Sequence, residues 1–370
     1  MKRVETKGRI REIDVAKGLA CLLMIAAHII SRRVFTFGTL AAPLFFACSG
    51  MNTLLLIEKT RSNRCYDVFH VLFPVLLFFG GSSHIAITQS GRWRIGPELL
   101  QLIALAILLL FIFSKLFKNL RQSGILFPLP FLIQQLLPAS FLESINGAPL
   151  EFVFTRHYPL FPWIGFFLFG VFLLGLKRNR YRWLQAALII ASFLCVAVAK
   201  IPVERFGMSL SYILLALLAI TVAFSWARWV VGHSGRVMFQ WLAEFFALPG
   251  RNALMFLYLH FVALRFFASV NFLSSLHLYL FLETLYLFFA CWVLLLFYEQ
   301  VKNEPSLFFP ALSLALALAL LRWQGLLSWS DRLYVVDMCI GILFAFLYVQ
   351  LRRRVASRCE RKQAVAASVL

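Results

Sequence analysis

The first long apolar segment of the chain contains two ionisable side chains, Lys17 and His28. An ionisable group in the hydrocarbon of a membrane costs about 2.5–3.5 kcal/mol on insertion scales, so its presence usually has a functional reason. The two residues are eleven positions apart, which in an α-helix is about three turns and roughly 16 Å along the axis. Both side chains therefore project from nearly the same face. A histidine can transfer protons near neutral pH, and a cation can hold an anionic ligand.

Four other titratable residues extend this pattern. His260 lies in the middle of a later apolar segment, whereas the other three stand at segment ends that are predicted to share one side of the membrane with His28: His84, Glu98 and His157. Histidine and carboxylate side chains are the usual proton-transfer groups. The simpler interpretations are a lysine that reaches the membrane surface, histidines that form structural hydrogen bonds, and polar residues that belong to loops.

The elements that must position these residues are membrane-spanning helices. Hydrophobic residues make up 61% of the 370 residues and charged residues 14%, whereas soluble domains are about 25% charged. Apolar runs of about 20 residues, the length of one crossing, recur along the chain. Backbone polar groups in lipid must be satisfied within each segment, so the fold class is predicted to be all-α. We expect a polytopic transmembrane bundle of about 10–12 spans.

The distribution of basic residues predicts the orientation. Twelve spans are predicted to begin near residues 14, 39, 68, 98, 125, 159, 183, 209, 252, 278, 306 and 333. With the N-terminus in the cytoplasm, the inner segments hold 25 Lys and Arg residues and the outer segments hold 9. This bias predicts a multi-pass membrane protein, of the bacterial inner membrane or an equivalent one, with both termini cytoplasmic. It also explains the net charge of +20 without a nucleic-acid partner.

The spans are predicted to form a single domain over residues 1–370, with further spans at 278–351 and a basic tail at 352–370. Two places are less regular. The stretch 125–142 is rich in proline, and the apolar piece Val237–Leu248 is too short to span, so it is predicted to be re-entrant or to lie along the interface. The seven cysteines show no CxxC pairing, so no metal site is expected.

Five segments resemble the acyltransferase-3 superfamily and its heparan-α-glucosaminide N-acetyltransferase branch. The first is RIREIDVAKGLACLLMIAAHII, which resembles the family's opening span with its basic residue and histidine. The others resemble later family motifs in the expected order, so that the resemblance runs over about residues 9–261: FGTLAAPLFFACSG (37–50), GPELLQLIAL (96–105), HYPLFPWIGFFLFG (157–170) and PGRNALMFLYLHF (249–261). One departure is Lys17, where the family usually has arginine.

The resemblance implies an integral membrane acyltransferase. The donor would be acetyl-coenzyme A or another acyl-coenzyme A in the cytoplasm, and the acceptor a sugar hydroxyl or amine, on a glycan or lipid-linked sugar, on the other side. The implied catalytic residues are His28, as general base or transient acyl carrier, and His260. Three residues would bind the donor: Lys17, Arg251 and Asn252. The residues on the acceptor side would be His84, Glu98 and His157.

Two other functions fit the same residues. A transporter or flippase for a lipid-linked or small substrate would also place histidine, lysine and arginine inside a bundle. An inactive relative that serves as a membrane assembly partner would tolerate Lys17 in place of arginine. The order of the motifs favours the acyltransferase.

Overall fold

The computed structural model describes residues 10–30, 37–61, 66–85, 99–117, 119–144, 151–154, 159–204, 208–267, 277–303, 343, 347–351, 354, 355 and 357. Within these residues every regular element is a helix. The α-helices are α1 (Arg11–Ile30), α2 (Ala41–Thr60), α3 (Asp67–Ile85), α4 (Leu99–Leu116), α5 (Pro128–Leu136), α6 (Ala139–Ser144), α7 (Glu151–Phe154), α8 (Leu160–Gly175), α9 (Arg178–Phe193), α10 (Leu210–Gly232), α11 (Val237–Arg251), α12 (Ala253–Phe267) and α13 (His277–Asn303). Short 3-10 helices cover Phe37–Leu40 and Leu120–Leu126, and a π-helical turn, Leu194–Val198, follows α9. The predicted all-α class is confirmed.

Five of the described helices are long and apolar enough to cross a membrane: Gly38–Thr60, Leu99–Leu116, Arg178–Val198, Leu210–Gly232 and Phe281–Lys302. Shorter apolar helices cover Asp67–Gly81 and Leu160–Gly175. The chain is therefore a multi-pass helical membrane protein. The predicted spans near 306 and 333 fall almost wholly outside the described residues.

The span predicted to begin near residue 125, in the less regular proline-rich stretch 125–142, is not one continuous helix. The structure has the 3-10 helix Leu120–Leu126, then α5, then α6. Proline accounts for the break between α5 and α6: Leu137, which precedes Pro138, is extended with φ −71° and ψ 128°. A residue before proline disfavours the helical conformation because the proline ring clashes with its backbone.

Helix α1 lies at the centre of the bundle. It packs most extensively against α11, and also against α2, α10, α12 and α13. Its residues Ile13, Val15, Ala16, Ala20 and Cys21 have no exposed surface. A second group forms around α2, which packs against α8 and α4 as well as α1. The helix that carries Lys17 and His28 is thus enclosed by elements from both ends of the sequence.

Glycines allow the backbones of two helix pairs to approach closely. A Cβ atom at Gly18 of α1 would overlap the backbone carbonyl of Phe246, and one at Gly250 of α11 would overlap that of Asp14. The same arrangement joins α2 and α8, where Gly50 faces Phe167 and Gly170 faces Ala47. In lipid the hydrophobic effect does not bring helices together, because the lipid tails are as apolar as the helix surfaces. Association therefore depends on close packing. These glycines therefore fix α1 against α11 and α2 against α8.

The outer surfaces of α9 and α13 carry large apolar side chains, as expected for helices that face lipid. On α9 the exposed residues include Trp183, Ile189, Ile190 and Phe193. On α13 they include Phe281, Leu285, Phe289, Val293 and Phe297. Exposed apolar patches of this extent are unusual on soluble proteins, because contact of apolar surface with water is unfavourable. In the hydrocarbon of a membrane these side chains contact lipid instead of water.

Candidate active site

Two histidines from distant parts of the chain meet beside α1. His28 lies in the last turn of α1 and is exposed, whereas His260 lies in the middle of α12 and has no exposed surface. The centroids of the two imidazole rings are 5.4 Å apart, with 37° between the ring planes. The structure thus brings together the two residues that the sequence analysis predicted as catalytic.

Two phenylalanines form the walls of this histidine pair. Phe261 contacts both imidazoles, with centroid distances of 5.5 Å to His28 and 4.1 Å to His260. Phe256 stacks on the inner side of His260, with a centroid distance of 6.0 Å and 5° between the planes. Both come from α12: Phe256 lies one turn before His260, and Phe261 directly follows it. In the sequence they read as ordinary apolar residues, and no signal distinguished them.

The hydrogen bond of His260 defines which ring nitrogen is basic. Nδ1 lies 3.3 Å from the carbonyl oxygen of Phe256. A carbonyl oxygen can only accept, so Nδ1 carries the hydrogen, and Nε2 is the basic nitrogen of the neutral ring. His260 therefore combines a buried ring of fixed orientation with one nitrogen that can take a proton.

Lys17 lies about three turns of α1 away from His28, on nearly the same face. Its ammonium group is 5.1 Å from the centroid of the Phe45 ring of α2, and the residue is half-buried. Gly18, beside it, is in the close contact with α11. The packing therefore holds the lysine inside the bundle at the end of α1 remote from the histidine pair.

A group of charged residues surrounds this end of the bundle. Arg11 donates to Glu244 Oε1 at 2.7 Å, and Arg251 donates to the other oxygen, Oε2, at 3.2 Å. All three side chains are partly exposed, by 29% for Arg11, 32% for Arg251 and 50% for Glu244. Two guanidinium groups share one carboxylate, so the group keeps a net positive charge. Guanidinium groups of this kind suit the phosphates of a ligand.

Asn252, predicted to bind the donor, is engaged within the protein. Its amide nitrogen donates to Leu248 O at 3.1 Å and to Glu299 Oε1 at 2.6 Å, and its amide oxygen accepts from Lys302 at 2.9 Å. Both amide hydrogens are therefore used. Its partners Glu299 and Lys302 were not predicted, since nothing in the sequence distinguishes them from other charged residues at the end of an apolar run.

The side chains of the three residues predicted for the acceptor side are not among those that the structure describes. Glu98 and His157 lie outside the described residues, and so does the side chain of His84, whose backbone belongs to the last turn of α3. Among the residues that the structure describes, no group of three or more histidine, cysteine or acidic side chains could hold a metal ion.

Comparison with known proteins identifies the first half of the chain. Residues 9–201, slightly more than half of the sequence, match the model of the protein family described as "Heparan-alpha-glucosaminide N-acetyltransferase, catalytic". The matched region contains α1 and the motif segments up to residue 170, and it ends before α10. His260 and the segment 249–261 therefore lie beyond it. No curated protein matches the chain.

Proposed function

The chain belongs to the heparan-α-glucosaminide N-acetyltransferase family of membrane acetyltransferases that act on glycans, and we propose that its donor is a cytoplasmic acyl-coenzyme A. The acyl group is acetyl or another short chain. The acceptor is a sugar hydroxyl or amine, on a glycan or lipid-linked sugar, on the extracytoplasmic side. The wider likeness to the acyltransferase-3 superfamily stays a resemblance.

The observation that carries this proposal is the contact between His28 and His260. The rings lie 5.4 Å apart although the residues belong to the first and the twelfth α-helix. His28 is exposed and His260 is fully buried, so only the first has its ring open to an incoming acceptor. The buried partner can hold the position of the first ring and share its proton.

The proposed reaction uses His28 as the general base. His28 accepts the proton of the acceptor hydroxyl or amine as the oxygen or nitrogen bonds to the acyl carbon. The carbon–sulfur bond of the thioester breaks, and His28 returns the proton to the leaving thiolate. Phe261, which contacts both imidazoles, covers one side of the pair, and exclusion of water there favours transfer to the sugar over hydrolysis of the thioester.

The charged end of the bundle is the proposed site for the donor's phosphates. Lys17 and Arg251, with Arg11 beside Glu244, supply cations there. The phosphates are held at this end. The part of the donor between its phosphates and its thioester then follows the face of α1 from Lys17 to His28, a distance of roughly 16 Å. His84, Glu98 and His157 remain the proposed residues on the acceptor side.

Purified protein in sealed vesicles tests the reaction and its sidedness together. Labelled acetyl-coenzyme A is supplied to the face that carries the termini, and a soluble amino sugar is placed on the opposite face. We expect thioester consumption that requires the sugar and labelled product on the sugar's side. Movement of the sugar without thioester consumption would instead support the transporter. Equal rates with donor on either face would contradict the proposed sidedness.

Lys17 should contribute mainly to donor binding. Because hydrogen bonds to charged groups contribute about 1.5–3 kcal/mol, Lys17→Ala should raise the KM for acetyl-coenzyme A by about tenfold or more, with a smaller change in kcat. Lys17→Arg should keep or improve binding, since arginine is the usual residue of the family. Steady-state kinetics in detergent measure both variants.

A matched control is Lys59→Ala, which removes one exposed lysine near the end of α2. It should leave the KM unchanged. A wild-type KM in the Lys17→Ala protein would mean that the lysine only extends toward the membrane surface.

A further inference from the structure

Asn252, Glu299 and Lys302 form a closed ring of hydrogen bonds between α12 and α13. Glu299 Oε1 accepts from the Asn252 amide at 2.6 Å and from the Lys302 ammonium at 2.6 Å. Lys302 also donates to the amide oxygen of Asn252 at 2.9 Å, which closes the ring. Asn252 is 7% exposed, and the side chains of Lys302 and Glu299 are 19% and 24% exposed. A shielded carboxylate and ammonium that satisfy each other in this way resist replacement by water.

The ring stands at the junction of α11 and α12. Asn252 is the single residue between the two helices, and its φ of −111° and ψ of 32° are not helical. The two helices nearest to the junction besides α12, which are α11 and α13, are both anchored. Helix α11 is fixed to α1 by the contact of Gly18 with Phe246 and of Gly250 with Asp14, and α13 is tied to α11 by the hydrogen bond from Trp292 to Phe245 O at 3.0 Å.

The direction of α12 therefore decides where His260 lies. His260 is eight residues beyond Asn252, about 12 Å along the helix axis. A change of about 10° at the junction would move it by about 2 Å at that distance. Catalytic groups must usually be held within about 0.5 Å and 10–20° of the productive geometry. His28 lies on α1, which packs more extensively against α11 and α2 than against α12.

We propose that Glu299 and Lys302, with Asn252, are positioning residues that hold α12 at the angle that keeps His260 against His28. This inference rests on the proposed function for its kinetic consequence. It also gives Asn252 a different role from donor binding, since both of its amide hydrogens are already used.

The test variant is the double substitution Glu299→Leu and Lys302→Met. It removes both charges together, because removal of one partner would leave the other charge shielded and unpaired. We expect kcat to fall by about tenfold or more, since small misplacements of catalytic groups have effects of that size. The KM for acetyl-coenzyme A should stay within about twofold of wild type.

A second measurement does not depend on activity. Diethyl pyrocarbonate modifies accessible imidazoles, and mass spectrometry reports its rate at each histidine. His260, which is fully buried, should be modified slowly in the wild type and about fivefold faster or more in the double variant. Asn252→Ala alone, which removes the neutral member of the ring and leaves the Glu299–Lys302 ion pair in place, provides the same comparison if the double variant does not fold.

The ion pair between Glu58 and Arg121 gives a matched control. Its two hydrogen bonds of 2.8 and 2.9 Å join the end of α2 to the 3-10 helix Leu120–Leu126, remote in sequence from the junction. Glu58→Leu with Arg121→Met should change neither kcat nor the modification of His260.

Three results in the double variant would overturn the inference. They are a kcat and KM that both stay at the wild-type values, a raised KM with unchanged kcat, and an unchanged rate of His260 modification. The second of these would make the ring part of the donor site. If the wild-type protein transfers no acyl group, the proposed function fails, while the modification rates still decide whether the ring positions α12.

Discussion

Replacing His28 with alanine should lower the rate of acyl transfer by about 10²–10⁴-fold, the contribution that general acid–base groups usually make. The ring of His28 is exposed whereas that of its partner His260 is fully buried, so His28 is the imidazole that an incoming acceptor can reach. The variant should still insert and fold, because the bundle is held by many apolar contacts. Initial rates in vesicles, normalised to monodisperse protein, measure the effect.

Two further variants make this result specific. His260→Ala should also slow the reaction, by less than His28→Ala, because it acts on the acceptor only through His28. His233→Ala should have no effect, since this exposed histidine follows α10 and its Nδ1 lies 2.8 Å from Trp229 O. A folded His28→Ala protein with more than about a tenth of the wild-type rate would show that His28 is structural. A larger loss in His260→Ala would reverse the two roles.

Gly250→Ala should prevent the bundle from closing around α1. A Cβ at this position would overlap the backbone carbonyl of Asp14, and a backbone atom inside a helix cannot turn aside as a flexible side chain can. We expect a loss of stability at or above the upper end of the about 1–3 kcal/mol that overpacking usually costs. The thermal midpoint of the detergent-solubilised protein and its yield as a single species should both fall. Gly18→Ala, on the other side of the contact, should behave in the same way.

The control for this prediction is Gly232→Ala. Gly232 ends α10, and a Cβ there would have no neighbour within 4 Å. Alanine favours the helix over glycine, so stability should be unchanged or slightly higher. If Gly250→Ala and Gly232→Ala had the same thermal midpoint, the close approach of α1 and α11 would not be a source of stability.

The features that sequence predicted best were those that depend on one segment alone. Composition and apolar run length predicted an all-α membrane protein, which the helices confirm. Helical spacing predicted that Lys17 and His28 share a face of α1. The resemblance to the glucosaminide-type acetyltransferases is confirmed by the family match over residues 9–201. Local periodicity is sufficient for such predictions because the membrane requires each segment to satisfy its own backbone.

The features that sequence did not predict depend on contacts between distant segments. Asn252 bonds to residues 47 and 50 positions away, and nothing near Glu299 or Lys302 in the sequence indicates that partner. The contact of His28 with His260 requires the direction of α12, which the junction at Asn252 determines. The quoted motif segments contain the close-contact glycines, but the carbonyl groups that these glycines face belong to other helices.

The central position of α1 also has a consequence for biosynthesis. Arg11 of α1 bonds to Glu244 of α11, 233 residues later in the chain. Ribosomes add about 5–20 residues per second, so roughly 12–47 s pass before that partner is made. During most of this interval α2 is the α-helix in contact with α1 that already exists, since α10, α11, α12 and α13 are made later. Helix α1 is therefore made long before the neighbours that enclose it, and assembly of the histidine pair has to follow synthesis of the segment that carries His260.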